Sequence, residues 1–169
     1  STWSIEGSPS TTYGSINIDE NTGEWTYTLN NNSPQTQALE EGQSVTESFI
    51  ARVTDDNNAF IDQTITVTID GTNDVPVVTN SASDAAGTVI EAGHSVYGTS
   101  SVSGTLSSSD VDNAATSTWS IEGSPSTTYG SINIDVNSGE WTYTLNNDSP
   151  QTQALEEGQS VTESFIARV

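Results

Sequence analysis

Residues 64–69 alternate without a break: Ile65, Val67 and Ile69 are apolar, and Thr64, Thr66 and Thr68 are polar. A period of two marks a strand with one buried face. Trp25, Tyr27 and Leu29 alternate in the same way with Thr26 and Thr28. That pattern predicts a second strand, with Trp25 and Tyr27 in the core. Ahead of it, Ile16-Asn17-Ile18 runs into Asp19-Glu20-Asn21-Thr22-Gly23, a hairpin connection ending in glycine. Further strands are predicted at residues 3–5, 45–53, 77–79, 88–90 and 102–106. The one helical signal is residues 33–40, where Ser33 caps, Pro34 takes the first helical position and Gly42 follows the end. It has room for one or two turns. Many short strands with frequent turn residues predict an all-β fold, an antiparallel sandwich.

Residues 1–53 return as residues 117–169 at a constant offset of 116, differing only at Glu20/Val136, Thr22/Ser138 and Asn32/Asp148. A period this long exceeds those of solenoids and propellers and matches one whole domain. The chain therefore reads as tandem modules of period 116. The boundary falls at residues 70–76, Asp70-Gly71-Thr72-Asn73-Asp74-Val75-Pro76, where a strand ends, polar residues follow and Pro76 opens a new extended segment. Residues 1–75 are the C-terminal part of one module, and residues 76–169 are the N-terminal and middle part of the next. The first lacks the opening strands and the second lacks the closing strand. Unpaired sheet edges recruit strands. The expected partners are thus neighbouring modules of the same chain, with head-to-tail homopolymerisation by strand complementation as a further route.

Charge narrows the partners. Two basic residues, Arg52 and Arg168, face 23 acids, for a formal net charge of -21. Nucleic acid is excluded, because counterion release needs clustered Lys and Arg. Direct contact with anionic membranes is excluded on the same grounds. Hard divalent cations, which prefer oxygen ligands, are favoured and would relieve self-repulsion. There is no cysteine, hence neither a disulfide framework nor a cysteine–zinc site. No apolar run is long enough to span a membrane and no signal peptide is visible, so an export signal or anchor is expected outside this stretch.

The run Gly23-Glu24-Trp25-Thr26-Tyr27-Thr28-Leu29-Asn30, then Gln37-Ala38-Leu39 with Gly42, then residues 64–69 and Gly71-Thr72-Asn73-Asp74-Val75-Pro76, resembles the VCBS or cadherin-like repeats of large bacterial surface adhesins, including the extender modules of RTX adhesins. The resemblance covers essentially the whole chain. It implies an immunoglobulin-like, cadherin-like sandwich, an extracellular location at the bacterial surface, and calcium at the module joints. It also implies a stalk role. One departure is Asp55-Asp56-Asn57-Asn58, where many members of that family carry Asp-Gly. No ligand role is carried onto those four residues.

Given a sandwich, strand directions locate a candidate cation site. The linker enters the head of a module, the first strand runs down, the second runs up, and the next loop, Ser109-Asp110-Val111-Asp112-Asn113, is back at the head. Asp110 and Asp112 are therefore expected near Asp70, Asn73 and Asp74. Calcium takes six to eight oxygens at about 2.3–2.6 Å, which two short acidic loops can supply. Ordinary turn chemistry of Asp and Asn is the alternative. The resemblance adds Glu91, at the foot of the module, as a ligand of the next joint. The hairpins Asp19-x-Asn21-x-Gly23 and Asp135-x-Asn137-x-Gly139 have the opening spacing of a calcium loop but no downstream acid in register, and are read as plain turns.

No catalytic constellation stands out. His94 is the only histidine, and no nucleophile-elbow pattern surrounds any serine. The adjacent pairs Glu40-Glu41 and Glu156-Glu157 point apart, whereas glycosidase carboxylates must face each other. The expected role is a spacer module in a long adhesin or filament, stiffened by calcium. The alternative is a carbohydrate-binding module acting through avidity, with Trp3, Tyr13 and Tyr97 as stacking residues.

Overall fold

The computed structural model describes all residues, Ser1–Val169. The chain folds into two compact units, Ser1–Val75 with Val111–Ala115, and Pro76–Asp110 with Thr116–Val169. Both are built of antiparallel strands.

In the first unit the strands are β1 (Thr2–Glu6), β2 (Gly14–Ile18), β3 (Trp25–Leu29), β4 (Ser44–Thr54) and β5 (Phe60–Asp70). One sheet has the order β1-β4-β5 and the other is the β2-β3 hairpin. The β4–β5 pairing runs unbroken from Ser44↔Asp70 to Thr54↔Phe60. It sets Phe49 opposite Ile65 and Val45 opposite Ile69. Alternation then sends Phe49, Ala51, Ile65 and Ile69 inward, while Thr46, Ser48, Thr64 and Thr66 face out. The core joins both sheets: Ile16 from β2 packs with Phe49, Ala51 and Ile65, flanked by Trp3, Ile5, Ile18, Tyr27 and Val67. At ~25 cal/mol per Å² of apolar surface, Ile16, Phe49 and Ile65 each contribute about 1.5–3 kcal/mol on burial.

Between β3 and β4 lies a single helical turn, α1 (Pro34–Gln37). Ser33 Oγ accepts from the Thr36 N–H, and Pro34 sits at the first helical position, where its missing N–H costs nothing. The helix ends at Ala38, sooner than expected, and Gly42 instead turns the chain with φ +82°.

In the second unit the strands are β6 (Val77–Val78), β7 (Ser101–Thr105), β8 (Ser108–Ser109), β9 (Ser120–Glu122), β10 (Gly130–Ile134), β11 (Glu140–Leu145) and β12 (Ile166–Arg168). They pair as β10-β11-β7, β12-β9 and β6-β8. A 3₁₀ turn at Ala82–Ala85 and a helical turn, α2 (Pro150–Gln153), complete it. The core is Trp119, Ile134 and Trp141, flanked by Val102, Leu106, Ile121, Ile132, Tyr143, Ala167 and Val169.

Two expectations need correction. The strand at residues 88–90 does not form; only an isolated bridge, Ile90↔Thr99, is made there, because residues 91–98 loop away without a continuous partner. Trp25 is not in the core. It is 45% exposed, whereas its counterpart Trp141 is 6% exposed. The cause is a strand: β7 pairs along β11 in the second unit, and the outer edge of β3 in the first has no partner.

Candidate functional site

The end of β5 leads into the segment where the acids were expected to converge. Asp70 closes the β4–β5 ladder opposite Ser44, whose hydroxyl donates to the Asp70 carboxylate. Gly71 donates its N–H to the Gln43 carbonyl at 2.8 Å. Its backbone passes so close to the Leu39 and Glu40 carbonyls that a Cβ would sit 2.3 Å from the Glu40 oxygen. Glycine is required there for clearance rather than for a positive φ.

Three residues on, the Asp74 N–H donates to Asp112 Oδ2 at 2.9 Å, a contact between residues 38 apart in sequence. Asp74 and Asp112 are both half-buried. The loop is anchored further by the Asn113 N–H, which donates to the Ala38 carbonyl at 3.1 Å, and it turns through Ala114 at φ 54°. These contacts all lie within the first unit.

Of the expected ligands, the structure brings together Asp74 and Asp112. Asn73 turns its amide onto the Asp74 carbonyl, and Asp70 is occupied by Ser44. Asp110 follows β8 and belongs to the second unit, as does Glu91, which lies in the loop beyond the Ile90↔Thr99 bridge. No group of three or more His, Cys, Asp or Glu side chains converges on one point. The oxygens at Asp74 and Asp112 suit a hard cation chemically. The hydrogen bond between them already forms a clasp without one.

The hairpin acids are turn elements. Asp19 Oδ1 accepts from the Asn21 and Thr22 N–H groups at 2.9 and 2.7 Å. The Thr22 backbone bond is the main reason its carboxyl is held below the usual carboxylate range. Asp135 does the same through Ser138 and Asn137. Asp55 Oδ1 accepts from Asn57 and Ala59, again within its own turn.

The aromatic candidates do not form one surface in the first unit. The Trp3 indole lies against Gly23, so that a Cβ at Gly23 would stand 2.7 Å from the ring. Tyr13 is half-buried, and its N–H donates to Glu47 Oε1. In the second unit Tyr97 is fully exposed beside a shallow open depression lined by Ile90, His94, Val96 and Asn147.

Residue-by-residue reading missed Glu47. On β4 it accepts from the Tyr27 hydroxyl at 2.6 Å, the Thr11 hydroxyl at 2.5 Å and the Tyr13 N–H at 3.3 Å, tying the loop before β2 to the opposite sheet. The available signal was an acid on the inward-alternating positions of β4, between Val45 and Phe49. Glu163 repeats the arrangement with Tyr143 and Tyr129. No helix is long and apolar enough to cross a membrane. No family model matches the chain, and no curated protein matches it either.

Proposed function

We propose that the chain is a stretch of a spacer: tandem immunoglobulin-like modules of a long extracellular adhesin or filament, stiffened at the module joint by calcium. The observation that carries this reading is the near-identity of residues 1–53 and 117–169. A recognition site is needed once, whereas length is gained by repeating the same unit. The charge of -21 and the resemblance to adhesin repeats support the extracellular, cation-rich setting.

Calcium at the joint would take oxygens from Asp74, Asp112 and neighbouring carbonyls. With so few carboxylates, the expected dissociation constant is in the weak range typical of extracellular modules, about 10⁻⁴–10⁻³ M. Calcium at tenfold that value stabilises the folded state by about 1.4 kcal/mol through mass action. For units of this size that raises Tm by several degrees.

The experiment is thermal unfolding and small-angle scattering of the chain in calcium and in EGTA. A Tm and a maximum dimension that both rise with calcium support the reading. Identical values in the two buffers overturn its calcium part. An ordinary polysaccharide titration that saturated at millimolar concentration, and was lost on Tyr97→Ala, would replace the spacer reading by the carbohydrate-binding one.

A further inference from the structure

We propose that the Arg52–Val53 peptide bond is a fold-gated processing site for an endoprotease that reads arginine: closed in a folded module and cut once in an opened one. The proposal goes beyond the spacer reading and does not involve a cation.

The residue types come first. A protease of this class fills an acidic pocket with a basic side chain. The chain has no lysine, and its two arginines, Arg52 and Arg168, stand one repeat offset of 116 residues apart. Both lie in strands, Arg52 in β4 and Arg168 in β12. The loop tips, where proteases usually nick a folded protein, hold no basic residue.

The fold then closes the one interior site. β4 is the middle strand of β1-β4-β5. Arg52 stands opposite Ser4 on one side and Asp62 on the other, and Val53 opposite Trp3 and Ile61. The bond between them is therefore flanked by paired residues on both edges. A protease takes its substrate as an extended strand and hydrogen-bonds the backbone itself. In β4 those backbone groups are already engaged. The side chain is held as well. Its guanidinium forks onto Asp62 at 2.7 and 2.9 Å, meets Glu6 at 3.0 Å and lies 3.9 Å above the Phe60 ring. Filling a protease pocket means breaking all of these contacts. Both partner strands lie within residues 2–70, so the closure does not depend on what flanks the chain. The second unit repeats the register: Arg168 stands opposite Ser120 and reaches Glu122 at 3.2 Å.

Opening reverses the closure. Once β4 leaves its neighbours, residues 49–56 become an extended, unpaired stretch around Arg52. Water then adds across the Arg52–Val53 bond. Arg52 keeps the carbonyl carbon as a new carboxylate, and Val53 leaves as a new amino terminus. No oxidant or cofactor is needed. With one such bond per period, an opened module is cut at a single place while its folded neighbours stay whole.

The test is trypsin digestion of the whole chain across a urea series. Mass spectrometry follows cleavage as the fragments 1–52 and 53–169, and hydrogen exchange of residues 44–54 follows the opening of β4 in the same samples. Each rate is taken relative to a free peptide of residues 47–57 in the same urea. Without urea the bond is expected to be cut at least about a thousandfold more slowly than the peptide, because cleavage tracks the open population of a stable domain. Through the series the relative rate should rise in step with exchange of the β4 amides. The Ser95→Arg variant puts an arginine in the exposed loop of residues 91–98 and is expected to be cut there without urea. The proposal is overturned if the Arg52–Val53 bond is cut within about tenfold of the peptide rate while the β4 amides are still protected. It is equally overturned if the new site in Ser95→Arg is as slow to cut as Arg52–Val53, since position in β4 is then not what protects Arg52.

Discussion

The Tyr27 hydroxyl donates to Glu47 Oε2 at 2.6 Å, bridging β3 to β4 across the core of the first unit, and Tyr143 and Glu163 repeat the bond at the same distance. Burial, followed by the Glu47 hydrogen bond and charge, pushes the Tyr27 phenol up to about 12. Burial and Glu163 push Tyr143 in the same direction. The folded state thus holds the phenol protonated at a pH where the unfolded chain releases it.

The sign of the linkage follows. A group whose folded pKa is raised contributes stability that is fully present below its unfolded value, about 10, and that is lost as pH rises through the folded value. Urea midpoints are therefore expected to hold steady up to about pH 10 and to fall steeply between about 10 and 12. Tyr27→Phe should flatten that fall in the first unit. At pH 7 it should cost about 1.5–3 kcal/mol, the range for a hydrogen bond to a charged partner. A midpoint that declines identically in the variant would show that the bond does not set the alkaline limit.

Asp112 allows the clasp and the proposed cation to be separated. Asp112→Asn keeps an oxygen to accept the Asp74 N–H but removes the charge. Asp112→Ala removes both. Without calcium, the alanine variant should lose about 1–2 kcal/mol and the asparagine variant well under 1 kcal/mol. With calcium, both should lose the calcium-induced rise in Tm. Calorimetry of the three proteins in each buffer checks this. A calcium response that survives in Asp112→Asn would place the ion elsewhere.

Arg52 and Arg168 form a built-in control. Arg52 forks onto Asp62 at 2.7 and 2.9 Å, reaches Glu6 at 3.0 Å and lies 3.9 Å above the Phe60 ring. Arg168 has only Glu122, at 3.2 Å, and is 67% exposed. Lysine keeps the charge but loses the fork and the flat stacking surface. Arg52→Lys should lower the urea midpoint of the first unit, and Arg168→Lys should leave that of the second unchanged, as expected for an exposed pair. Equal effects in urea unfolding would mean that the Asp62 fork and the Phe60 contact add nothing.

Several elements were legible because their cause is local. The alternation of residues 64–69, the Ser33-Pro34 helix start and the Asp19–Gly23 turn each depend on residues within a few positions, and each is present. The β5 strand begins earlier than its pattern, at Phe60, because the ladder with β4 continues to Thr54. What the pattern could not carry is anything decided by a distant partner. Trp25 and Trp141 have identical neighbours and opposite fates. The Asp74–Asp112 bond depends on strand directions across 38 residues, and the cation role on oxygens that no spacing specifies. The Ala82–Ala85 turn, held by Ser81 and Asp84, was missed because its sequence is short and carries no periodicity.

The same dependence on a partner gives a final prediction at the other end. Residues 44–54 form the eleven-residue strand β4, paired throughout with β5. Residues 160–169, identical to residues 44–53, form only β12, Ile166–Arg168, paired with β9, and residues 160–165 are not in a strand. Ile166 is 71% exposed and Phe165 is half-buried, whereas Phe49 is 3% exposed. Local propensity is the same in both copies, so the difference lies in the absence of a β5 beside the second. Appending a copy of residues 54–75 after Val169 should supply it. Residues 160–165 should then become strand and their amides should be protected from hydrogen exchange. Burial of Phe165 and the apolar face of the new strand should raise the stability of the second unit by several kcal/mol. Exchange measured by mass spectrometry on the original and extended chains reads both effects. If residues 160–165 exchange as fast in the extended chain as in the original, a missing strand is not what leaves them unpaired.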